Sequence, residues 1–280
     1  MNTNQTGRVA IVTGAGRGIG KAMALGLIED GISVMASDID ADVLGELQAE
    51  ARTNRLATIA ADVTADDGAQ KIVTATLARF GRLDILVNNA GVSPNTLRAK
   101  GAALPAHFWE VTPAEFRRTM EVNVLGAFMM SCAALEPMRA QNWGRIINVT
   151  TSLDSMWRKG MLPYGGSKAA NEAHCAIMAE ELAGTGITVN ILVPGGPVNT
   201  RLVGNSFSDA ERLKLIQPDI MVTPLRWLVS EATNAITGKR FIAAFWDKSL
   251  SADQAAEKCS APIAWQQLGR QAIFPGGKAF

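Results

Sequence analysis

Short apolar runs rich in β-branched residues recur along the chain and alternate with longer stretches of helical period. The runs are apolar throughout, which is typical of strands that are buried on both faces of a sheet. They predict strands at 8–13, 32–37, 57–63, 83–87, 145–150, 186–193 and 239–244. The alternation of strands and helices through about residue 200 predicts an α/β fold, a doubly wound parallel sheet of about seven strands in three αβα layers.

Two segments have the residue pattern of a helix start. Thr64-Ala-Asp-Asp67 and Thr112-Pro113-Ala114-Glu115 each place a capping threonine three residues before an acid. Before the second start, residues 92–111 form a long connection interrupted by proline and glycine. Loops of this length inside a domain are usually functional or disordered. The sequence leaves open whether this one is a substrate lid or a mobile surface loop.

Beyond the last predicted strand the chain continues as a C-terminal extension, residues 245–280. The extension has few β-patterned runs and one short helix-like piece, Ala252–Lys258. We expect residues 1–244 to form a single domain. For the extension three alternatives remain: it caps a pocket, packs on a neighbouring subunit, or is partly disordered.

Composition and charge exclude several classes of function. The net charge is +1 without a long run of Lys and Arg, so nothing indicates a surface for nucleic acid or an anionic membrane. No apolar run reaches the ~18 residues of a membrane span, and the polar start is unlike a signal peptide. The three cysteines are far apart and lack CxxC spacing, which favours reduced thiols in a cytoplasmic protein. The two histidines lack ligand-like partners, so we expect no metal site.

The first predicted strand leads directly into a glycine-rich turn, Gly14-Ala-Gly16-Arg-Gly18-Ile-Gly20, and an apolar helix. Strand, turn and helix together predict the opening of a Rossmann-type dinucleotide-binding unit. Glycines let the backbone approach a pyrophosphate, whose charge is stabilised at a helix N-terminus. Ile19 takes the place of the third glycine in the usual G-x-G-x-x-G pattern, so the spacing here is T-G-x-x-x-G-x-G.

Two charged residues near this turn bear on the choice of dinucleotide. Asp38 ends the second strand, 18 residues after Gly20, where a carboxylate accepts hydrogen bonds from the adenosine ribose and repels a 2′-phosphate. Arg17 lies within the turn, where a cation suits such a phosphate. The carboxylate clashes with a phosphate directly, so the sequence predicts NAD over NADP and leaves NADP as the alternative.

A tyrosine and a lysine near the middle of the chain form the catalytic hypothesis. Tyr164, the only tyrosine, lies four positions before Lys168, so the two share one face of a helix. A neighbouring ammonium favours the phenolate and lowers a pKa that is ordinarily about 10. The phenol then serves as a general base at neutral pH.

Taken together, these segments resemble the short-chain dehydrogenase/reductase family over residues 8 to 244. The motifs that carry the resemblance are, in order, TGAGRGIG (13–20), Asp38, Asp62-Val63, NNAG (88–91), Asn123, the hydroxyl-rich strand end at Thr150-Thr151-Ser152, YGGSK (164–168) and Pro194-Gly195. The resemblance implies one catalytic domain and an NAD(P)-dependent oxidoreductase that interconverts a secondary alcohol and its ketone.

The resemblance also implies a role for individual residues. Tyr164 becomes the general acid/base, Lys168 lowers its pKa and holds the nicotinamide ribose, and Asn123 supports a water relay. The family serine falls on Thr151, with Ser152 one step later, and consecutive strand residues point to opposite faces. Either Thr151 polarises the substrate oxygen, which we favour slightly, or a bulge brings Ser152 in.

The remaining implied contacts surround the dinucleotide. Asn89 is expected at the ribose, Asp62 and Val63 at the adenine, and Thr200 at the carboxamide, although an apparent extra residue after Pro194 weakens the last match. The full implied set is Gly14, Arg17, Gly18, Ile19, Gly20, Asp38, Asp62, Val63, Asn89, Ala90, Gly91, Tyr164, Lys168, Pro194, Gly195 and Thr200.

The expected substrate pocket is mostly apolar. Its predicted lining residues are Ser93, Trp109, Leu153, Trp157 and Met161. Such a lining favours a hydrophobic or cyclic alcohol or ketone, with a sugar or polyol as the alternative. A dinucleotide-sensing protein without turnover is the alternative of another class. The resemblance further implies a homo-oligomer, a tetramer or dimer, built on the helices after Thr112 and Tyr164.

Overall fold

The fold is a single eight-stranded sheet between two layers of helices, in a computed structural model that describes residues 7–98, 107–204 and 207–266. The strands are β1 (Val9–Thr13), β2 (Ser33–Asp38), β3 (Leu56–Ala60), β4 (Ile85–Asn88), β5 (Gly144–Val149), β6 (Ile187–Val193), β7 (Lys239–Ile242) and β8 (Ser260–Pro262). The helices are α1 (Gly18–Glu29), α2 (Ala41–Ala51), α3 (Gly68–Phe80), α4 (Pro94–Leu97), α5 (Pro113–Met120), α6 (Ala127–Ala140), α7 (Leu153–Trp157), α8 (Tyr164–Glu181), α9 (Asp209–Arg212), α10 (Val222–Leu228) and α11 (Ala252–Cys259).

The strand order is β3-β2-β1-β4-β5-β6-β7-β8, and every pair is parallel except β7 with β8. The predicted α/β class is confirmed, and each of the seven predicted strands is present. The order reverses between β1 and β4, so a crevice opens at the carboxyl ends of these strands. Ligands of open α/β sheets bind in such a crevice.

Apolar side chains pack on both faces of the sheet. Ala10 and Val12 of β1 face the cluster that contains Leu27 of α1, whereas Ile11 faces the cluster that contains Met130 of α6. Successive strand residues therefore serve two separate cores, which is why the strands are apolar throughout. Among the described helices, none is long and apolar enough to cross a bilayer.

The two predicted helix starts have different outcomes. Thr112 caps α5 in a reciprocal capping box with Glu115, as predicted. The prediction for 64–67 is wrong, because the Thr64 hydroxyl donates to Asp62 Oδ1 at 2.7 Å and α3 begins only at Gly68. The Thr64 hydroxyl therefore bonds to the neighbouring Asp62 and does not cap the helix.

Residues 245–266 of the C-terminal extension pack on the same sheet. The predicted helical piece forms α11, and β8 adds the antiparallel eighth strand that the sequence pattern did not predict. The Trp227 ring lies 5.6 Å from Phe241 and 5.8 Å from Trp246, and its Nε1 donates to Asp253 at 2.8 Å. Residues 267–280 lie outside the described residues.

Candidate active site

The glycine-rich turn occupies the crevice at the end of β1. Gly14 and Gly18 adopt positive φ angles of 62° and 54°, where a side chain is strained. A Cβ on Gly20 would lie 2.1 Å from the Gly14 carbonyl oxygen. In the described chain no side chain caps α1, and its first turn carries no acid. Its amides and positive helix end therefore fit an anionic pyrophosphate, so the residues present fit a dinucleotide.

The segment after β4 holds this turn in place. The Thr13 hydroxyl accepts from the backbone amides of Asn89 and Ala90, each at 3.1 Å. The Asn89 side-chain amide donates to the carbonyls of Thr13 and Gly14 at 2.9 and 3.0 Å. Both hydrogen atoms of this amide are used to fasten the turn, and the expected contact of Asn89 with the ribose stays a prediction.

Asp38 and Arg17, the two charged residues expected to decide between NAD and NADP, have different bonding partners. Asp38 Oδ2 accepts from the Gly16 amide at 3.0 Å, so the carboxylate lies against the turn. The Arg17 guanidinium forms an ion pair with Asp40. Arg17 is therefore paired with an acid of the chain itself, whereas Asp38 forms no ion pair among the described residues.

Asp62 and Val63 follow β3 at the same edge of the sheet. Asp62 Oδ2 accepts from Arg118 at 2.9 Å, while Oδ1 accepts from Thr64. Burial raises the pKa of Asp62, but these hydrogen bonds outweigh it and lower the pKa below its usual value. Val63 packs on the segment that contains Gly126, where an added Cβ would lie 2.7 Å from the valine.

The end of β5 is fastened to one face of α8 by three successive residues. The Val149 carbonyl accepts from Lys168 Nζ at 2.9 Å, and the Thr150 hydroxyl donates to Glu172 at 3.2 Å. The Thr151 hydroxyl lies close enough to Tyr164 to lower the pKa of the phenol. Positions 164, 168 and 172 are one turn apart along the helix and share a face. This arrangement brings together three of the predicted catalytic residues.

The pKa values of Tyr164 and Lys168 differ from the expectation. Burial raises the pKa of Tyr164 to about 12, and the hydrogen bond with Thr151 lowers it only in part. Burial also lowers the pKa of Lys168 to about 8. Lys168 Nζ lies 5.8 Å from the centre of the Tyr164 ring. The ammonium was expected to lower the pKa of the phenol, but burial raises that pKa instead. In this arrangement the phenol is a proton donor at neutral pH.

Ser152 has a separate local role. It is the N-cap of α7, where its hydroxyl accepts from the Ser155 amide at 3.4 Å and lies 2.9 Å from the Ser155 hydroxyl. The hydroxyl of Ser152 is thus used at the start of α7, and the role of Thr151 at the substrate oxygen stays a prediction.

Asn123 lies in a π-helical turn, Glu121–Gly126, between α5 and α6. Its side chain accepts from the Val92 amide at 2.8 Å and donates to the Val92 carbonyl at 3.0 Å. It also donates to Ser167 at 2.8 Å, and Ser167 donates to the Tyr164 carbonyl at 2.7 Å. Asn123 therefore links the loop after β4 to the start of α8. Ser167 was missed by sequence reasoning, although it lies within YGGSK.

The segment after β6 returns to the glycine turn. A Cβ on Gly18 would lie 2.9 Å from Thr200 Cγ2, so Thr200 lies beside the turn as expected of a cofactor contact. Gly195 adopts a positive φ of 104°, and the Pro194 carbonyl accepts from Ala244 at 3.0 Å. Ile19 packs on the core below the turn, and a Cβ on Gly91 would lie 3.5 Å from Lys168 Nζ.

The predicted pocket residues are not all gathered into a closed lining. Ser93 is buried and donates to the Leu202 carbonyl at 3.2 Å. The Trp109 ring is 67% exposed and stacks on His107, and Trp157 is 65% exposed. Leu153 begins α7, and Met161 lies half-buried after it. The lid hypothesis for 92–111 falls partly on residues 99–106, which lie outside the described residues.

The family model of the short chain dehydrogenases matches residues 8–211. The 3-oxoacyl-[acyl-carrier-protein] reductase of Synechocystis sp. is 32% identical over 249 residues, which cover 85% of this chain and 96% of the relative. The chain belongs to the short-chain dehydrogenase/reductase family. It is an NAD(P)-dependent oxidoreductase that acts on alcohol and ketone groups.

Two solved structures have the same fold. One, from Beutenbergia cavernae, is described as an NAD(P) dependent gluconate 5-dehydrogenase with NADP bound at low occupancy. It is 30% identical with a TM-score of 0.74, over 87% of this chain and 97% of its own. The other, a short chain dehydrogenase from Mycobacterium paratuberculosis bound to NAD, is 28% identical with a TM-score of 0.71, over 84% and 95%. The relatives thus carry either dinucleotide.

Proposed function

We propose that the chain interconverts a secondary alcohol and its ketone with NAD(H), and that Tyr164 is the general acid/base. The observation that carries the proposal is the fastening of Val149, Thr150 and Thr151 to α8. It supports the proposal because a hydroxyl, a phenol and an ammonium then lie close to one another at the carboxyl end of β5, and ligands of such sheets bind at the carboxyl ends of the strands. These groups serve carbonyl reduction and alcohol oxidation and have no need of a metal.

In the proposed mechanism, a bound nicotinamide supplies the hydride donor or acceptor. The Tyr164 phenol gives its proton to the ketone oxygen during reduction and takes it back from the alcohol during oxidation. The Thr151 hydroxyl donates to the same oxygen and stabilises the charge that develops there. Lys168, whose ammonium donates to the Val149 carbonyl, would hold the nicotinamide ribose.

The test is an assay of the absorbance of reduced dinucleotide with a panel of alcohols and ketones, using NAD(H) and NADP(H) in parallel. We expect turnover of hydrophobic or cyclic secondary alcohols, because Leu153, Trp157 and Met161 are apolar and follow the hydroxyl-bearing strand end in the sequence. Faster turnover of sugars or polyols would favour the alternative substrate class. Tight dinucleotide binding without turnover of any substrate would favour the dinucleotide-sensing alternative.

Asp38 is proposed to select NAD over NADP. Replacing it with serine removes the negative charge but leaves an acceptor for the Gly16 amide. We expect Asp38→Ser to shift the ratio of NAD to NADP affinities toward NADP by roughly tenfold to a hundredfold, the value of one or two charged contacts. Fluorescence titration with both dinucleotides measures the shift. A wild-type protein that binds NADP more tightly would contradict the proposal.

Thr151, and not Ser152, is proposed to contact the substrate oxygen. Thr151→Val keeps the shape and removes the hydroxyl, so we expect kcat to fall by about 10²-fold with little change in stability. Ser152→Ala is the matched control, since it removes the N-cap of α7, lowering the unfolding free energy by about 1 kcal/mol with kcat nearly unchanged. Steady-state kinetics and urea unfolding of both variants check this, and the reverse pattern would assign the role to Ser152.

We also propose a homo-oligomer that uses the outer faces of α5, α6 and α8. Large apolar side chains are exposed on these helices: Phe116, Phe128 and Ile177. Exposed apolar surface of this kind favours association with a second copy. Light scattering at several protein concentrations measures the assembly, and a monomer at all of them would contradict this proposal.

A further inference from the structure

A buried ion pair lies directly behind the Thr151 strand end. Arg240 of β7 donates from Nε to Glu172 of α8 at 2.8 Å, and the two side chains are 5% and 0% exposed. Two charges in such surroundings carry a large desolvation cost, and a pair of apolar residues would often be as stable. A role in stability is therefore a weak explanation for this pair.

The remaining bonds of the pair are directed at the catalytic strand end. Arg240 Nη2 donates to the Thr151 carbonyl at 3.0 Å. Glu172 accepts from the Thr150 hydroxyl at 3.2 Å and from the Ala264 amide at 3.4 Å. The ion pair thus holds two successive residues of the strand end and also contacts the chain after β8.

One of these bonds fixes Thr151, whose hydroxyl lies near the Tyr164 phenol. Thr151 lies beyond the last residue of β5, Val149, so no strand hydrogen bond of the described sheet holds it. Its carbonyl is fixed by Arg240, and the preceding hydroxyl is fixed by Glu172, which is itself anchored on α8 two turns after Tyr164. Without the guanidinium, the Thr151 carbonyl would lose the side-chain hydrogen bond that fixes it.

We propose that Arg240 and Glu172 are positioning residues that hold Thr150 and Thr151 in place against the face of α8 that carries Tyr164. The inference rests on the proposed function, in which that hydroxyl contacts the substrate oxygen. Neither residue belongs to a recognisable motif, and 68 positions separate them in the sequence. Through the Ala264 amide the pair also connects the C-terminal extension to the active site.

The test replaces the pair by Arg240→Met with Glu172→Met, an apolar pair that leaves no unpaired buried charge. We expect a Tm near that of the wild type, an unchanged KM for the dinucleotide, and a kcat lower by roughly tenfold to a hundredfold, as for a small misplacement of a catalytic group. Arg240→Lys restores the charge but not the two-pronged contact, so we expect only partial recovery of kcat.

A spectroscopic readout makes the test independent of the substrate. Because Tyr164 is the only tyrosine, ¹³Cζ-labelled tyrosine gives a single NMR resonance, which reports the hydrogen bonding of this phenol. We expect the double Met variant to shift this resonance in the same direction as Thr151→Val does.

The matched control is Arg145→Met, a buried arginine at the opposite end of β5 that bonds to Gly144 and packs on Trp143. We expect it to lower Tm without changing kcat or the resonance. Wild-type kcat and an unmoved resonance in the double variant would overturn the inference. An equal shift in Arg145→Met would also overturn it. A wild type that turns over no substrate would refute the proposed function instead, while the resonance would still decide the positioning role.

Discussion

Tyr164→Phe is expected to lower kcat by about 10³-fold, within the range that a general acid/base contributes, while dinucleotide affinity and fold survive. The ring is almost fully buried at the start of α8, and phenylalanine retains that packing. The variant loses only the hydroxyl that Thr151 contacts. In the proposed mechanism the phenol gives the proton during reduction and takes it during oxidation, so both directions lose their proton exchange.

The measurement combines single-turnover kinetics with a dinucleotide titration. Tyr164→Phe should bind the dinucleotide with the wild-type Kd, which separates loss of chemistry from loss of the site. In the wild type, alcohol oxidation should accelerate as pH rises from 7 to 10, because a phenol with a pKa of about 12 must lose its proton to act as a base. Turnover by Tyr164→Phe near the wild-type rate would remove Tyr164 from the mechanism.

The hydrophobic pattern predicted the sheet well because five of the seven parallel strands, β1, β2, β4, β5 and β6, are buried on both faces. A run such as 145–150 is buried on both faces of the sheet, so it shows the continuous pattern of a buried strand. β8 has only three residues, Ser260–Pro262, and is partly exposed, so it leaves no such signal. The helix start at Thr64 was predicted wrongly for a local reason, since Asp62, two residues earlier, attracts the same hydroxyl.

The candidate site was predictable where one short motif carries the geometry. The glycine turn needs positive φ angles at Gly14 and Gly18, and the spacing of Tyr164 and Lys168 needs only a helix. Contacts between distant segments left little signal. The use of Asn89 on the turn and the pairing of Arg240 with Glu172 depend on how strands stack. A charged residue inside the apolar strand 239–242 was the available clue, because a buried arginine requires a partner.

The pKa values were the least predictable property of the site. Sequence spacing places an ammonium near the phenol, but only the structure shows how thoroughly both are desolvated. Burial disfavours the charged form of each group, raising the pKa of Tyr164 and lowering that of Lys168. A site in which both groups favour their neutral forms carries a cost in stability when the lysine is charged, and this cost can be measured.

Lys168→Met is expected to lower kcat/KM by about 10²-fold or more, because the ammonium near the phenol is lost, and with it the proposed contact to the nicotinamide ribose. At pH 7, however, the variant should be at least as stable as the wild type. Burial lowers the pKa of Lys168 from 10.5 to about 8, a shift equivalent to about 3 kcal/mol. The lost hydrogen bond to the Val149 carbonyl offsets part of this gain.

The sign of the pH dependence follows from this depressed pKa. Below pH 8 the lysine is charged in both the folded and unfolded wild type, so the full penalty is present. Between pH 8 and 10.5 the unfolded chain binds more protons, so the wild type gains stability with rising pH. The difference in unfolding free energy between Lys168→Met and wild type should therefore shrink over this window, because all other titrations cancel.

Urea unfolding followed by tryptophan fluorescence at pH 7, 8, 9 and 10 measures this difference. Lys258→Met is the matched control, since Lys258 is 64% exposed and pairs with Asp247 on the surface. Its effect on stability should stay within a few tenths of a kcal/mol and should not follow the same curve. A difference for Lys168→Met that is constant from pH 7 to 10 would mean that the buried lysine keeps an ordinary pKa. In that case desolvation would not govern the proton chemistry of the site.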